Sequence, residues 1–183
     1  MHRRTFIKTA AAGLGSMAIM PACVHKAGPY GFFTQNEAAC VIAMTDQVIP
    51  ADEHGPGAVY ANVVNYIDRQ LTGVFAANQP VYRKGVAALQ QSCQQVHHAL
   101  FESLDFDTQT AFLQKMEKND IPTEPWGDDK PSDFFSMVID HTMQGFYGSP
   151  RHGGNKNYIS YRLMELNYPL IIGQNRYGSS YGK

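Results

Sequence analysis

From Thr34 to Phe146 the apolar residues recur at helical spacing, and proline or glycine interrupts each run after a few turns. That punctuation constrains the fold more than any other feature, because it predicts amphipathic helices of modest length joined by ordered loops. No stretch of four or more residues shows the clean alternation of a half-buried strand. Thr34 followed by Glu37 is a capping box, and Ala38, Val41, Ile42, Thr45, Val48 and Ile49 then predict a helix from about Asn36 to Val48. Pro50 stops it. The Asp52-Glu53-His54-Gly55-Pro56-Gly57 run reads as a tight polar turn. Val59, Val63, Tyr66, Ile67 and Leu71 mark a second helix closed by Gly73, and a third runs from near Pro80 to Leu100. Asp105 caps a fourth helix through Met116; Ser132-Asp133 opens a fifth, carrying Phe134, Phe135, Val138, Thr142 and Phe146, with Gly145 and Gly148 marking its end. The expected fold is all-α: a single compact multi-helix domain with a long, ordered, Gly/aromatic-rich C-terminal loop.

The chain's first residues follow another logic. Arg3-Arg4 stands before Thr5-Phe6-Ile7-Lys8 and a small-residue apolar run from Ala10 to Ala22. Arg3, Arg4, Phe6 and Lys8 therefore read as a twin-arginine (Tat) export signal, which hands an already folded protein to the Tat translocon and so to the periplasm. The apolar run is only about a dozen residues, and a bilayer-spanning helix needs about 20, so it reads as a signal and not an anchor. Residues 1–27 are expected to be the signal and 28–183 the helical domain, roughly 155 to 160 residues, enough for one modest core. Met20-Pro21-Ala22-Cys23 resembles a lipobox, with Pro21 fitting it poorly, and leaves lipidation of Cys23 open.

Charge and cysteine content narrow the function. The formal net charge is -1, and setting aside Arg3, Arg4 and Lys8 leaves 12 basic against 16 acidic residues, about -4. A nucleic-acid partner calls for a basic face, so that class is disfavoured. Cys23, Cys40 and Cys93 are the three cysteines; Cys40 and Cys93 form one disulfide in an oxidising compartment or stay as two buried thiols.

Motifs for chemistry within the chain are missing. The sequence has no Gly-x-Gly-x-x-Gly after a strand, no Walker loop, no Cys-x-x-Cys-His for haem and too few cysteines for an iron–sulfur cluster. No cofactor, metal or catalytic residue is assigned to the chain itself. A Tat signal on such a domain makes sense if it exports a cofactor-bearing partner bound beforehand. The competing reading is a free-standing periplasmic metal-binding or enzymatic domain using Asp52, Glu53, His54 and His152. Consecutive side chains point in different directions, which counts against that set. His97-His98 lacks the i,i+4 spacing of a helical metal pair and is placed at a helix boundary.

The segment from Gly145 to Pro169 combines glycines at 145, 148, 153 and 154 with Phe146, Tyr147, Tyr158, Tyr161 and Tyr168. Glycines permit unusual turns while the aromatics demand burial or a partner surface, so it is expected to be an ordered loop and not a helix. Self-packing on the core and an interface, with Arg151 and Arg162 among the tyrosines, are the two readings.

Several runs together resemble the gluconate 2-dehydrogenase subunit 3 family, the small (gamma) subunit of periplasmic flavin-dependent sugar and polyol dehydrogenases. They are the Arg3-Arg4 start, Val48 to Ala58 with its Pro50-Ala51-Asp52 turn, Tyr66 to Leu71, Tyr82 to Gly85, and Gly145 to Asn155. The family often carries Gly-Trp and Gly-Tyr-Pro after Gly-Gly-Asn, where this chain has Ser160-Tyr161 and Asn167-Tyr168-Pro169. The resemblance implies a non-catalytic subunit acting as chaperone and hitchhiker-export partner of a large subunit of the glucose-methanol-choline (GMC) type. FAD would belong to that large subunit and haem to a membrane-bound cytochrome c subunit present in such complexes. The docking residues it implies are Pro50, Asp52, His54, Gly55, Tyr147, Arg151, Gly153, Gly154, Asn155 and Tyr161.

Overall fold

A computed structural model of the chain describes residues 29–166. The signal residues Arg3, Arg4, Phe6 and Lys8, together with Cys23 and the end of the expected C-terminal loop from 167 onward, lie outside the described residues. Within them the fold is all-α. Its helices are α1 (Gln35–Val48), α2 (Val63–Leu71), α3 (Gln79–His97), α4 (Phe106–Glu117), α5 (Pro131–Tyr147) and the short α6 (Ile159–Leu163), joined by single turns of 3-10 helix. The described residues hold no strand, only an isolated bridge between Asp52 and Gly55.

Both sequence-read caps form as their chemistry dictates. Thr34 Oγ1 accepts from the Glu37 amide at 3.3 Å and Glu37 Oε2 accepts from the Thr34 amide at 2.8 Å, satisfying two donors that a helix start leaves orphaned. Burial works against the Glu37 charge, but the Arg83 guanidinium and the Thr34 bonds prevail and hold its carboxyl below the ordinary glutamate value. Asp105 accepts from the Thr108 amide at 2.9 Å and its hydroxyl at 2.7 Å, and these bonds lower its pKa.

Three boundaries depart from the sequence reading. α2 starts at Val63 and not near Val59, because the Ala58 amide turns back to the Ile49 carbonyl at 2.8 Å and Asn62 takes a left-handed φ of 58°. α3 stops at His97, where His98 also turns left-handed at φ 54°, so Leu100 falls in the connection and is exposed. Gly145 lies inside α5 instead of ending it. A Cβ there would sit 2.9 Å from the Tyr66 ring and 3.1 Å from Val63, so its absence lets α5 cross α2 at close range.

α5 is the central element, packed on each of the other five helices. Around it lie Met44, Ile67, Leu71, Tyr82, Leu89, Phe101, Met116 and Trp126, all fully buried. Polar groups that enter this interior find partners, as burial requires. Trp126 Nε1 donates to Ser92 Oγ at 3.0 Å, and the Tyr82 hydroxyl meets His141 Nδ1 at 2.8 Å. The His141 ring stacks on Phe75, and burial lowers its pKa despite the nearby Asp140. Cys40 and Cys93 are two buried free thiols, which decides between the two readings left open above. Burial raises both, Cys93 to about 11, so neither is a thiolate near neutral pH.

Candidate docking face

The turn after α1 spends its polar chemistry on itself. Asp52 Oδ1 accepts from the His54 and Gly55 amides at 2.9 and 3.1 Å, while the Asp52 and Gly55 main chains bond each other in both directions. This Asx-type turn leaves the carboxylate occupied. Glu53 and His54 project outward, their side chains more than four-fifths exposed and 3.7 Å apart, a contact of little energetic weight. Pro50 is exposed at the turn's start, and after the buried Ala58 come Val59 and Tyr60, at 51% and 66% exposure.

The C-terminal segment is fastened against this turn. Lys156 donates its amide to the Ala61 carbonyl at 3.1 Å, and the Asn65 side chain donates to the Gly153 carbonyl at 2.7 Å. Asn155 is wholly buried. Its Nδ2 donates to the Gly148 carbonyl at 2.8 Å and its Oδ1 accepts from the Ser160 amide at 2.9 Å, so one side chain ties the end of α5 to the start of α6. α6 then reaches the first turn, where any Cβ on Gly55 would collide with Leu163. Two neighbouring segments thus carry Val59, Tyr60, Leu163, Met164 and Leu166, five large apolar side chains that stay more than two-fifths exposed. Other exposed apolar side chains, such as Val74 and Phe106, lie on other elements, so these five are grouped on two packed segments as a candidate docking face.

The residues expected at an interface divide between outside and inside. Tyr147, at the end of α5, and Arg151 are exposed, with Arg151 Nε donating to His152 Nε2 at 3.0 Å. Asp52 and His54 are exposed on the turn, and Gly55 is half-buried under Leu163. Gly154, Asn155 and Tyr161 are buried, and Gly153 is half-buried against α2, so these four act on a partner only by shaping the surface above them. Within the described residues the Gly145 to Pro169 segment is ordered, but the expectation that it contains no helix is corrected. Its beginning completes α5, and Ile159–Leu163 form α6 once Tyr158 has turned left-handed at φ 58°. Asp52, Glu53, His54 and His152 are not gathered for a metal: the described residues contain no group of three or more His, Cys, Asp or Glu side chains placed to hold one.

The model of the family described as gluconate 2-dehydrogenase subunit 3 matches residues 35–167, most of the chain and nearly all of the described fold. The chain belongs to the gluconate 2-dehydrogenase subunit 3 family. Comparisons with curated proteins and with solved structures returned no match. The family name describes one subunit of a multi-subunit dehydrogenase, and none of the described helices is long and apolar enough to cross a membrane. The exposed apolar residues of this candidate face that the sequence reading did not single out are Tyr60, Leu163 and Met164. A signal for Tyr60 was present: Pro56-Gly57 delays the helix start, which removes residues 59 and 60 from any regular buried face.

Proposed function

We propose that this subunit 3 protein is the small, non-catalytic partner of a periplasmic FAD-dependent sugar or polyol dehydrogenase of the GMC type. It binds the large subunit in the cytoplasm, assists its folding and carries it through the Tat pathway on its own signal. The observation that supports this reading best is the pinned corner in which the Asp52 turn meets α6 and leaves Tyr60, Leu163 and Met164 uncovered on a braced backbone. A surface held by main-chain bonds loses little entropy on association, which favours docking over induced folding. Membrane association would come through the complex and its cytochrome c subunit.

Co-expression with the large subunit tests it. A tagged subunit 3 taken from the periplasm should bring down the FAD-bearing chain in fixed ratio, and the purified subunit alone should hold no flavin and turn over no sugar. Intrinsic turnover by the lone subunit would overturn the proposal. Replacing Arg3 and Arg4 by Lys should leave both chains in the cytoplasm, whereas unchanged secretion would assign export to another route.

A further inference from the structure

Beside the apolar corner the fold assembles a basic one from residues far apart in sequence. Gly153 stands at φ 104°, and a Cβ there would lie 2.7 Å from both Arg69 Cδ and Asn65 Nδ2. This positive φ and close approach, with the Asn65 bond to the Gly153 carbonyl, press the turn bearing Arg151 and His152 onto the last turn of α2. Arg69, Arg151 and His152 are all exposed there.

Among the described residues neither Arg69 nor Arg151 has an ion-pair partner. The ion pairs among the described residues are Glu53 with His54, Glu37 with Arg83, and Asp129 with Lys84. Asp68, next to Arg69 in sequence, is buried and gives its oxygens to the amides of Gly31, Phe32 and Phe33 at 2.7 to 2.9 Å. Asp68 is thus committed to the 31–33 segment and turned inward, while Arg69 beside it stays exposed. The Arg151 Nε bond to His152 needs an unprotonated ring nitrogen as acceptor, and it orients the guanidinium while leaving its Nη groups unused. Exposed Tyr147 adjoins this turn along the chain through Gly148.

We propose that Arg69 and Arg151 form a paired receptor for carboxylate side chains on the large subunit, with Tyr147 as its aromatic neighbour. This rests on the docking reading above and names the chemistry of the surface that meets it. Guanidinium groups match carboxylates by planar, bidentate hydrogen bonds, and arginine with tyrosine is the usual composition of an interface anchor. Against the chain's overall negative charge, two arginines outside any ion pair among the described residues give this corner a local positive potential that attracts carboxylates.

The test is the affinity of full-length subunit 3 for the FAD-bearing large subunit, measured against salt for the wild type, Arg69→Glu/Arg151→Glu and Arg69→Lys/Arg151→Lys. The receptor predicts at least a tenfold loss at low salt for the charge reversal, a flattened salt dependence and partial retention with lysine. Matching thermal unfolding of the free proteins confirms the fold, and Arg151→Glu alone serves if the double variant unfolds early. A complex of unchanged affinity and salt dependence overturns the receptor while the docking reading stands. No complex with wild type removes both. Sedimentation of wild type, but not the double variant, with phosphatidylglycerol vesicles and with assembly unaffected overturns the protein-partner assignment in favour of a lipid surface.

Discussion

The turn at Asp52–Gly55 and the turn at Gly153–Asn155 each combine glycine with a short polar side chain, yet they commit those side chains differently. The Asp52 side chain bonds only within its own turn, and the neighbouring Glu53, His54, Val59 and Tyr60 are left to solvent. Asn155 reaches across to Gly148 and Ser160 and is wholly buried, so the position of α6 depends on it. One turn presents a surface and the other builds its support. A short polar residue beside glycine can thus be a self-contained knuckle or a long-range lock, and the partner of its side chain decides which.

The sharpest way to break this contrast is Asn155→Ala. It strands the buried Ser160 amide, releases the half-buried Gly148 carbonyl and should cost about 3 kcal/mol in urea unfolding. A loss below about 1 kcal/mol would show that α6 is not held by this lock. Next in size, Tyr60→Ala with Met164→Ala should weaken binding of the large subunit tenfold or more, about 1.4 kcal/mol, while subunit stability changes by no more than about 0.5 kcal/mol. Titration calorimetry beside denaturant melts separates the two effects, and equal losses in both would return these residues to the core. Tyr147→Ala with Arg151→Ala should follow the same pattern.

Asp52→Ala should cost about 1 kcal/mol of stability, since the amides it releases can reach water. A penalty as large as that of Asn155→Ala would erase the distinction between the turns. The smallest effect is expected from pH. His141 has a folded pKa below its ordinary 6.5, so its contribution is complete above that value and is lost as pH falls from about 6.5 toward the folded pKa. Glu37 and Asp105, lowered from 4.5 and 3.8, lose theirs only in more acid solution. Urea midpoints between pH 8 and 5.5 should therefore drop slightly for the wild type and stay level for His141→Gln. A drop of equal size in both would assign the acid sensitivity elsewhere.

What the sequence revealed was local. The Thr34–Glu37 and Asp105–Thr108 caps need only neighbours three residues apart, and both are present. The helical periods of α1, α4 and α5 were legible for the same reason. Gly145 was read as a helix end because glycine commonly is one, whereas its role comes from Tyr66 and Val63 on another helix. The candidate site was half legible: composition pointed to the Asp52 turn and the Gly145–Asn155 run, but which residues face outward depends on contacts such as Asn65 with Gly153 and Gly55 with Leu163. Arg69 was not singled out because its nearness to the turn bearing Arg151 comes from Gly153 packing on it, a relation across more than 80 residues.

The most direct measurement is the amount of FAD-loaded large subunit in the periplasm when it is co-expressed with full-length subunit 3 or with a chain lacking residues 1–27. An escort that supplies both docking face and signal predicts abundant periplasmic flavoprotein in the first case and cytoplasmic retention in the second. Equal periplasmic flavoprotein in both would contradict it.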